Sequence, residues 1–260
     1  MNRVTLPRLA MTAVVAALAL LTTACGDDDG DEAESTTTEA PAEGASSEAF
    51  CTAVIDVEKA FSSQGESDPA PAIKALEEST PEGSEDVVAT MLDEAQKLQE
   101  AEAPPGEEFN AAHADLLDVT RDNCDFGEVE ATAKDYEFSG IPDEVDAGNT
   151  ILSLSNEGAE VHEMILMRIN DDVTESAEEI LALPEEEGQT KTTTVGAAFA
   201  YPGGTPGATV ADLEPGRYMV SCFIPVGATP EAMEAMMTGG SQPDGPQHFM
   251  EGMVTEFTVS

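Results

Sequence analysis

The sequence predicts an α+β protein with two domains, a small N-terminal helical bundle followed by a C-terminal Greek-key β-sandwich. Two patterns of apolar residues support this class: a helical period over residues 47–125, and alternation with polar residues over 135–260. The third observation is the presence of four cysteines in a chain that begins with a secretory leader. Cysteines in an exported protein are typical of disulfide formation in an oxidising compartment.

Residues 1–24 have the features of a secretory signal peptide. Arg3 and Arg8 precede an apolar run over residues 9–21, and this run is too short to span a bilayer. Cys25 follows a small residue and resembles the lipidation site of bacterial lipoprotein signals, where the cysteine becomes the mature N-terminus. The resemblance implies an extracytoplasmic protein anchored to the bacterial cell membrane by a lipid on Cys25. The alternative is a secreted protein that is cleaved nearby.

Residues 25–46 are expected to form a disordered acidic tether. This stretch has no large apolar residue, so it cannot bury enough surface to offset the entropy lost on ordering. The whole chain has a formal net charge of −43, which disfavours nucleic acid and anionic lipid as ligands. We therefore expect membrane contact only through the N-terminal lipid, and a monomeric protein.

The stretch over residues 47–125 predicts four amphipathic helices with short connections, as in an up-down bundle. Cys51 lies in the first turn of the first helix and Cys124 in the last turn of the fourth. These ends share one pole of an antiparallel bundle, so a Cys51–Cys124 disulfide is expected, contributing about 4 kcal/mol in the chain-entropy model. His113 stands alone on a charged helix and is expected to be solvated.

From residue 135 the pattern indicates seven or eight short strands separated by turn residues, which is typical of a sandwich. The strand over 161–169 has apolar residues on both faces. Something must therefore cover the outside of its sheet, and the helical segment is the candidate. A small helix is predicted over residues 230–238, inside the long stretch between Cys222 and His248.

Three motifs in the β segment resemble the cupredoxins, the small blue-copper proteins of the plastocyanin and azurin family. In chain order they are Asn156-x-Gly158-x-x-x-His162, Pro215-Gly216-x-Tyr218-x-x-x-Cys222 and His248-x-x-x-x-Met253. The resemblance implies that His162, Cys222 and His248 are the strong ligands of one type 1 copper ion. It also implies that Met253 is the weak axial ligand, and that His248 lies nearest the surface and carries the electron.

This ligand set suits single-electron transfer on chemical grounds. Thiolate and thioether favour Cu(I) while imidazole accepts Cu(II), so both oxidation states can share one site. We expect an electron carrier, not an enzyme, with an unidentified redox protein as its partner. Multicopper oxidases and copper nitrite reductases need more histidines than the three in this chain. Hydrolase and nucleotide-binding motifs (Gly-x-Ser-x-Gly, His-Glu-x-x-His, P-loop) are absent from the sequence.

Two alternatives remain open. The first is copper storage or delivery, in which Met233, Met236 and Met237 of the segment between Cys222 and His248 hold Cu(I). These methionines can also form a lid over the copper, or fill irregular gaps in the core. The second alternative is a metal-free interaction module of the same fold.

Overall fold

The computed structural model describes residues 43–62, 68–101, 104–237 and 240–260. The predicted signal peptide, the lipidation site Cys25 and most of the predicted tether lie outside these residues. The described chain from Glu43 onward belongs to one compact unit. Within these ranges, no helix combines the length and the apolar character needed to cross a membrane.

The N-terminal part is helical, as predicted. Its helices are α1 (Glu43–Ser62), α2 (Ala70–Ser79), α3 (Glu85–Ala101) and α4 (Glu107–Asn123). Because α1 begins at Glu43, the last residues of the predicted tether are already helical. The predicted disulfide is confirmed and joins Cys51 in α1 to Cys124, the residue that follows α4. The up-down arrangement of a bundle stays a prediction.

The rest of the chain is mainly β-structure. Its strands are β1 (Gly127–Lys134), β2 (Glu137–Ser139), β3 (Glu144–Val145), β4 (Gly148–Asn156), β5 (His162–Ile169), β6 (Thr192–Ala200), β7 (Gly207–Leu213), β8 (Gly216–Ser221) and β9 (Val254–Val259). The helices between them are α5 (Ala177–Leu181), α6 (Glu185–Gln189), α7 (Pro230–Met237) and a 3-10 turn, His248–Glu251. The small helix predicted over 230–238 is thus present as α7.

Strand β1 begins before residue 135, where the sequence pattern first indicates strands. Its buried residues are Val129, Ala131 and Ala133, which alternate with acids and threonine. Two of the three are alanines, which are depleted in strands and give a weak signal of period two. It is one of the two inner strands of its sheet and pairs with both β2 and β4, so contacts with other strands stabilise a strand that the local sequence does not predict.

The strands form two mixed sheets, ordered β2-β1-β4-β7 and β3-β9-β8-β5-β6. The inner faces share one core, with Leu154 from the first sheet and Leu166 and Val220 from the second. The predicted class is confirmed as helices followed by a β-sandwich-like pair of sheets. The Greek-key connections and the division into two domains stay predictions.

Different helices cover the two outer faces. On the four-stranded sheet, Ile151 and Val210 share a core with the N-terminal helices. On the five-stranded sheet, Met167 and Ile169 of β5 pack with Ile180 of α5. The prediction that the N-terminal helices cover β5 is therefore wrong. Helix α5 follows β5 closely in the chain and folds back over it.

His113 is buried rather than solvated, contrary to the prediction. Its side chain in α4 is 3% exposed, and its Nε2 lies 2.9 Å from Oε1 of Glu58 in α1. Among the described residues, Nε2 has no hydrogen-bond partner despite this short distance. The other oxygen of Glu58 accepts from the backbone N–H of Val210 at 3.3 Å. His113 and Glu58 thus connect α1 and α4 to β7.

Candidate metal centre

The predicted strong ligands come from three neighbouring strands. His162 begins β5, Cys222 directly follows β8, and His248 opens the 3-10 turn that leads into β9. Strand β8 lies between β5 and β9 and runs antiparallel to both. The start of β5, the end of β8 and the start of β9 therefore meet at one edge of the sheet.

The structure brings the donor atoms of these three residues together. Nδ1 of His162 lies 3.2 Å from Nδ1 of His248, and Sγ of Cys222 lies 3.3 Å from the same Nδ1. All three donor atoms lie within 4.8 Å of one another, and the exposed fractions of the side chains are 1%, 0% and 0%. One thiol and two imidazoles facing a common point in a buried space form a set that a transition metal can bind.

The long segment between Cys222 and His248 loops out, and its two ends meet again. The N–H of His248 donates to the carbonyl of Ile224 at 2.8 Å, and the N–H of Phe249 donates to the carbonyl of Cys222 at 2.9 Å. One further bridge joins Pro225 to Gln247. The segment therefore leaves the two ligands adjacent, and the cost of closing a longer loop grows slowly with its length.

The backbone of Met253 is hydrogen-bonded to the backbones of two of the other candidate ligands. Its N–H donates to the carbonyl of His248 at 3.1 Å, and its carbonyl accepts from the N–H of Cys222 at 3.3 Å. The side chain is 0% exposed and belongs to the inner core. Gly252, with a φ of 109°, makes the turn before it, in a conformation that residues with a Cβ rarely adopt. The axial role of Met253 stays a prediction.

The first motif holds the loop before His162. The side-chain amide of Asn156 donates to the carbonyls of Glu160 and Ala200 at 2.7 and 2.9 Å, and its oxygen accepts from the N–H of Gly158 at 2.8 Å. A Cβ on Gly158 would lie 3.0 Å from Nε2 of His162, so a residue without a side chain fits here. Burial, with the charge of His248, lowers the pKa of His162 to about 4. His162 is therefore neutral at pH 7.

The thiol of Cys222 is held in an apolar surrounding. The N–H of Glu163 donates to Sγ at 3.4 Å, and burial raises the pKa of the thiol to about 12. Without a metal, Cys222 is therefore protonated at neutral pH. A bound cation competes with this proton, because a coordinating thiol is deprotonated.

Glu163 is a buried carboxyl beside the site that the sequence analysis did not single out. Its Oε1 accepts from the N–H of Phe223 at 2.9 Å, and its residue is 8% exposed. Burial raises its pKa to about 7. The sequence does contain a signal for Glu163, because it is an acid in a strand that has apolar residues on both faces. Burying a carboxyl is costly unless it is hydrogen-bonded, so such a residue indicates a specific partner.

His248 is covered by two residues that the sequence analysis also missed. Oε2 of Glu160 lies 3.1 Å from Nε2 of His248 and accepts from the N–H of Gly227 at 2.6 Å. The hydroxyl of Tyr136 donates to Oε1 of Glu160 at 3.1 Å, and its ring lies 4.8 Å from the His248 ring. His248 is 0% exposed, and the other two candidate ligands are as deeply buried, so its place nearest the surface stays a prediction. Among 53 acidic residues, nothing in the sequence marks Glu160.

The pKa values of His248 and Glu160 follow from their contacts. Burial lowers the pKa of His248, although its contact with Glu160 opposes the shift. Burial works against ionisation of Glu160, but hydrogen bonds from Gly227, His248 and Tyr136 outweigh it and lower the pKa of this carboxyl. The arrangement therefore places a carboxylate against Nε2 of His248 and leaves Nδ1 facing Cys222 and His162.

Comparison with known proteins finds structural neighbours only. No protein-family model matches the chain, and no curated protein gives a significant match. Auracyanin B is 17% identical, with 52% of this chain and 88% of that chain covered and a TM-score of 0.28. Auracyanin from Roseiflexus castenholzii is 18% identical (51% and 96% covered, TM-score 0.30), and auracyanin A, a "blue" copper protein from Chloroflexus aurantiacus, is 16% identical (51% and 98% covered, TM-score 0.30). Likeness at this level does not define a family for the chain.

Proposed function

We propose that the protein binds one copper ion through His162, Cys222 and His248 and carries single electrons. The observation that carries this proposal is the convergence of the three buried donor atoms within 4.8 Å. A thiolate with two imidazoles suits copper in both of its oxidation states. Zinc also accepts cysteine and histidine, so the test must distinguish the two metals.

Each residue has a separate part in holding the ion. His162 is neutral at pH 7, so one of its ring nitrogens has a lone pair that can bind a metal, and Cys222 supplies the negative charge once its proton leaves. Met253 is proposed as the weak axial ligand. The bound copper supplies the redox chemistry, while the backbone hydrogen bonds around Cys222 and His248 keep the ligands in place in both oxidation states.

We further propose that the protein works outside the cytoplasm, anchored through a lipid on Cys25, and that it is not an enzyme. The leader pattern of residues 1–24 supports export. The disulfide between Cys51 and Cys124 is consistent with an oxidising compartment. Mass spectrometry of membrane-extracted protein tests the anchor, because a lipid on an N-terminal Cys25 adds mass to that residue alone.

Titration of the purified protein with Cu(II), followed by visible absorption, tests the copper site. We expect an intense thiolate-to-copper band that saturates at one equivalent and is lost in Cys222→Ser. Zinc gives no such band, because its filled d shell cannot accept an electron from the thiolate. Copper bound without the band favours storage or delivery, and protein that retains no copper after dialysis favours the metal-free interaction module.

A further inference from the structure

The cover over His248 is built from Glu160 and Tyr136. Tyr136 and its neighbour Asp135 have φ values of 69° and 46°, which residues other than glycine rarely adopt. The two residues form the two-residue turn between the antiparallel strands β1 and β2, and such a turn places both of its central residues at positive φ. Tyr136 is held by its hydrogen bond to Glu160 and by its contact with the His248 ring. The structure thus closes the side of His248 on which an electron would be expected to leave.

The residues that follow two of the ligands lie on another side of the site. Phe223 follows Cys222 and Phe249 follows His248, and their rings pair at 5.3 Å. Both rings line a groove of about 800 Å³ on the outer face of the five-stranded sheet. Cys222 faces the inner core, and successive side chains of an extended segment point to opposite sides. Cys222 is therefore one peptide unit away from a wall of the groove, and His248, in the 3-10 turn, is likewise directly followed by a residue that lines it.

The groove is apolar inside and acidic at its edge. Its apolar walls include Ile165, Met219 and Leu181, besides the two phenylalanines. Met250 also lines it and is 63% exposed, more than any other large hydrophobic side chain in the described ranges. The helices that border it carry exposed acids, namely Glu178 and Glu179 of α5 and Glu185, Glu186 and Glu187 of α6.

We infer that this groove, and not the surface over His248, is where a basic redox protein docks and exchanges electrons with the site. This inference rests on the proposed copper site. The apolar walls fit an apolar patch on the partner, and the acidic edge fits lysines and arginines around that patch. In the exchange, one electron leaves the Cu(I) site for a ferric haem, which becomes ferrous while the site becomes Cu(II). No bond is formed or broken and no proton is transferred.

Electron transfer from the reduced, copper-loaded protein to ferric cytochrome c, a basic haem protein, tests the docking surface. Met250→Lys removes the exposed apolar side chain and adds one positive charge at the groove. Thr52→Lys, on the exposed side of α1, adds the same charge elsewhere. At low salt we expect Met250→Lys to slow the second-order rate about tenfold or more, and Thr52→Lys to change it less than about twofold. The visible band and the copper content of both variants should equal those of the wild type.

Equal rates for the two variants would overturn the inference and favour a small uncharged electron carrier. A map of amide chemical shifts during titration of the Cu(I) form with cytochrome c locates the contact directly. Shifts at residues 188–194 and 249–250 support the groove, while shifts confined to 135–136, 158–160 and 227 place the partner over His248 instead. A wild-type protein without copper or the visible band contradicts the proposed function, and the same map on metal-free protein still tests the docking surface.

Discussion

The two outer faces of the sandwich are covered in different ways. The N-terminal helices cover the four-stranded sheet, with a disulfide and the buried pair Glu58 and His113 among their contacts. The short helices α5 and α6 lie against the outer face of the five-stranded sheet, where a groove stays open beside Phe223 and Phe249. The three metal-binding candidates belong to the second sheet. The comparison indicates that one face supplies stability and the other serves the metal site, so changes to each should have separable effects.

The largest effect on stability is expected from the disulfide. Replacing both Cys51 and Cys124 by Ala should lower the free energy of unfolding by about 4 kcal/mol, because the unfolded chain regains the freedom of a long loop. Denaturant unfolding of the metal-free protein measures this. The copper band should stay unchanged in the folded variant. Loss of the band with unchanged stability would contradict the separation of the two faces.

The next effect concerns Glu163 and is expected to depend on pH. Its pKa is about 7 in the folded protein against 4.5 for the ordinary carboxyl, so the folded state holds a proton that the unfolded chain releases between these values. The contribution of Glu163 to stability should therefore be highest below pH 4.5 and fall by about 3 kcal/mol as the pH rises through 7. Glu163→Gln should remove this fall, because its amide oxygen can still accept from Phe223.

Unfolding of metal-free protein at a series of pH values measures the effect. Glu130→Gln, at an exposed position of β1, is the control for loss of one charge. A fall in stability that is identical in Glu163→Gln and in the control would show that Glu163 is not its source.

A smaller effect is expected at the buried pair between the helices and β7. His113→Ala should lower the free energy of unfolding by about 2 kcal/mol, because it leaves a cavity and removes the contact of Glu58. Copper affinity should not change, since the pair belongs to the opposite face. Thermal unfolding and copper titration of the same sample measure both, and a change in copper affinity alone would contradict the division between the faces.

Copper binding should release about one proton per ion at pH 7. The thiol of Cys222, with its pKa of about 12, loses its proton on binding, while His162, with its pKa of about 4, has none to lose. Apparent affinity should therefore rise about tenfold per pH unit above pH 6, equal to roughly 1.4 kcal/mol per unit. Titration calorimetry in buffers with different ionisation enthalpies measures the number of protons released per copper ion. A slope of zero would show that the thiol is not a ligand.

The smallest effect is expected in α7. Met233 is 8% exposed and belongs to the inner core, and Met236 packs against it. The structure describes no side chain at Met237. Replacing Met233 and Met236 by Leu should cost less than about 1.5 kcal/mol and leave electron transfer intact, because the volume is nearly conserved. A loss of Cu(I) uptake with an intact visible band would instead favour storage or delivery.

Local pattern and short motifs were enough to predict the helices, the disulfide partners and the three residues that the structure brings together at the candidate metal centre. Cys51 and Cys124 fall at the ends of a regular helical pattern, and His162, Cys222 and His248 fall in motifs with fixed spacing. These features depend on residues that are near in sequence or on a simple topology.

What the sequence did not predict depends on contacts between distant segments. The cover over His248 is built from three separate loops, which contribute Tyr136, Glu160 and Gly227 and meet only when the sheets form. No motif spacing in the sequence therefore predicts it. His113 lies on a helix whose sequence is strongly charged, yet the face that carries it meets β7. Burial of a single polar residue is a property of the assembled layers rather than of its neighbours in the chain.

Copper K-edge X-ray absorption of the loaded protein tests the central claim most directly, because it reports the atoms bound to the metal. We predict one sulfur at the distance of a short copper–thiolate bond together with two nitrogens. In Cys222→Ser the short sulfur contribution should disappear while the nitrogens remain. A wild-type spectrum with nitrogen and oxygen scatterers alone would contradict a site built on His162, Cys222 and His248.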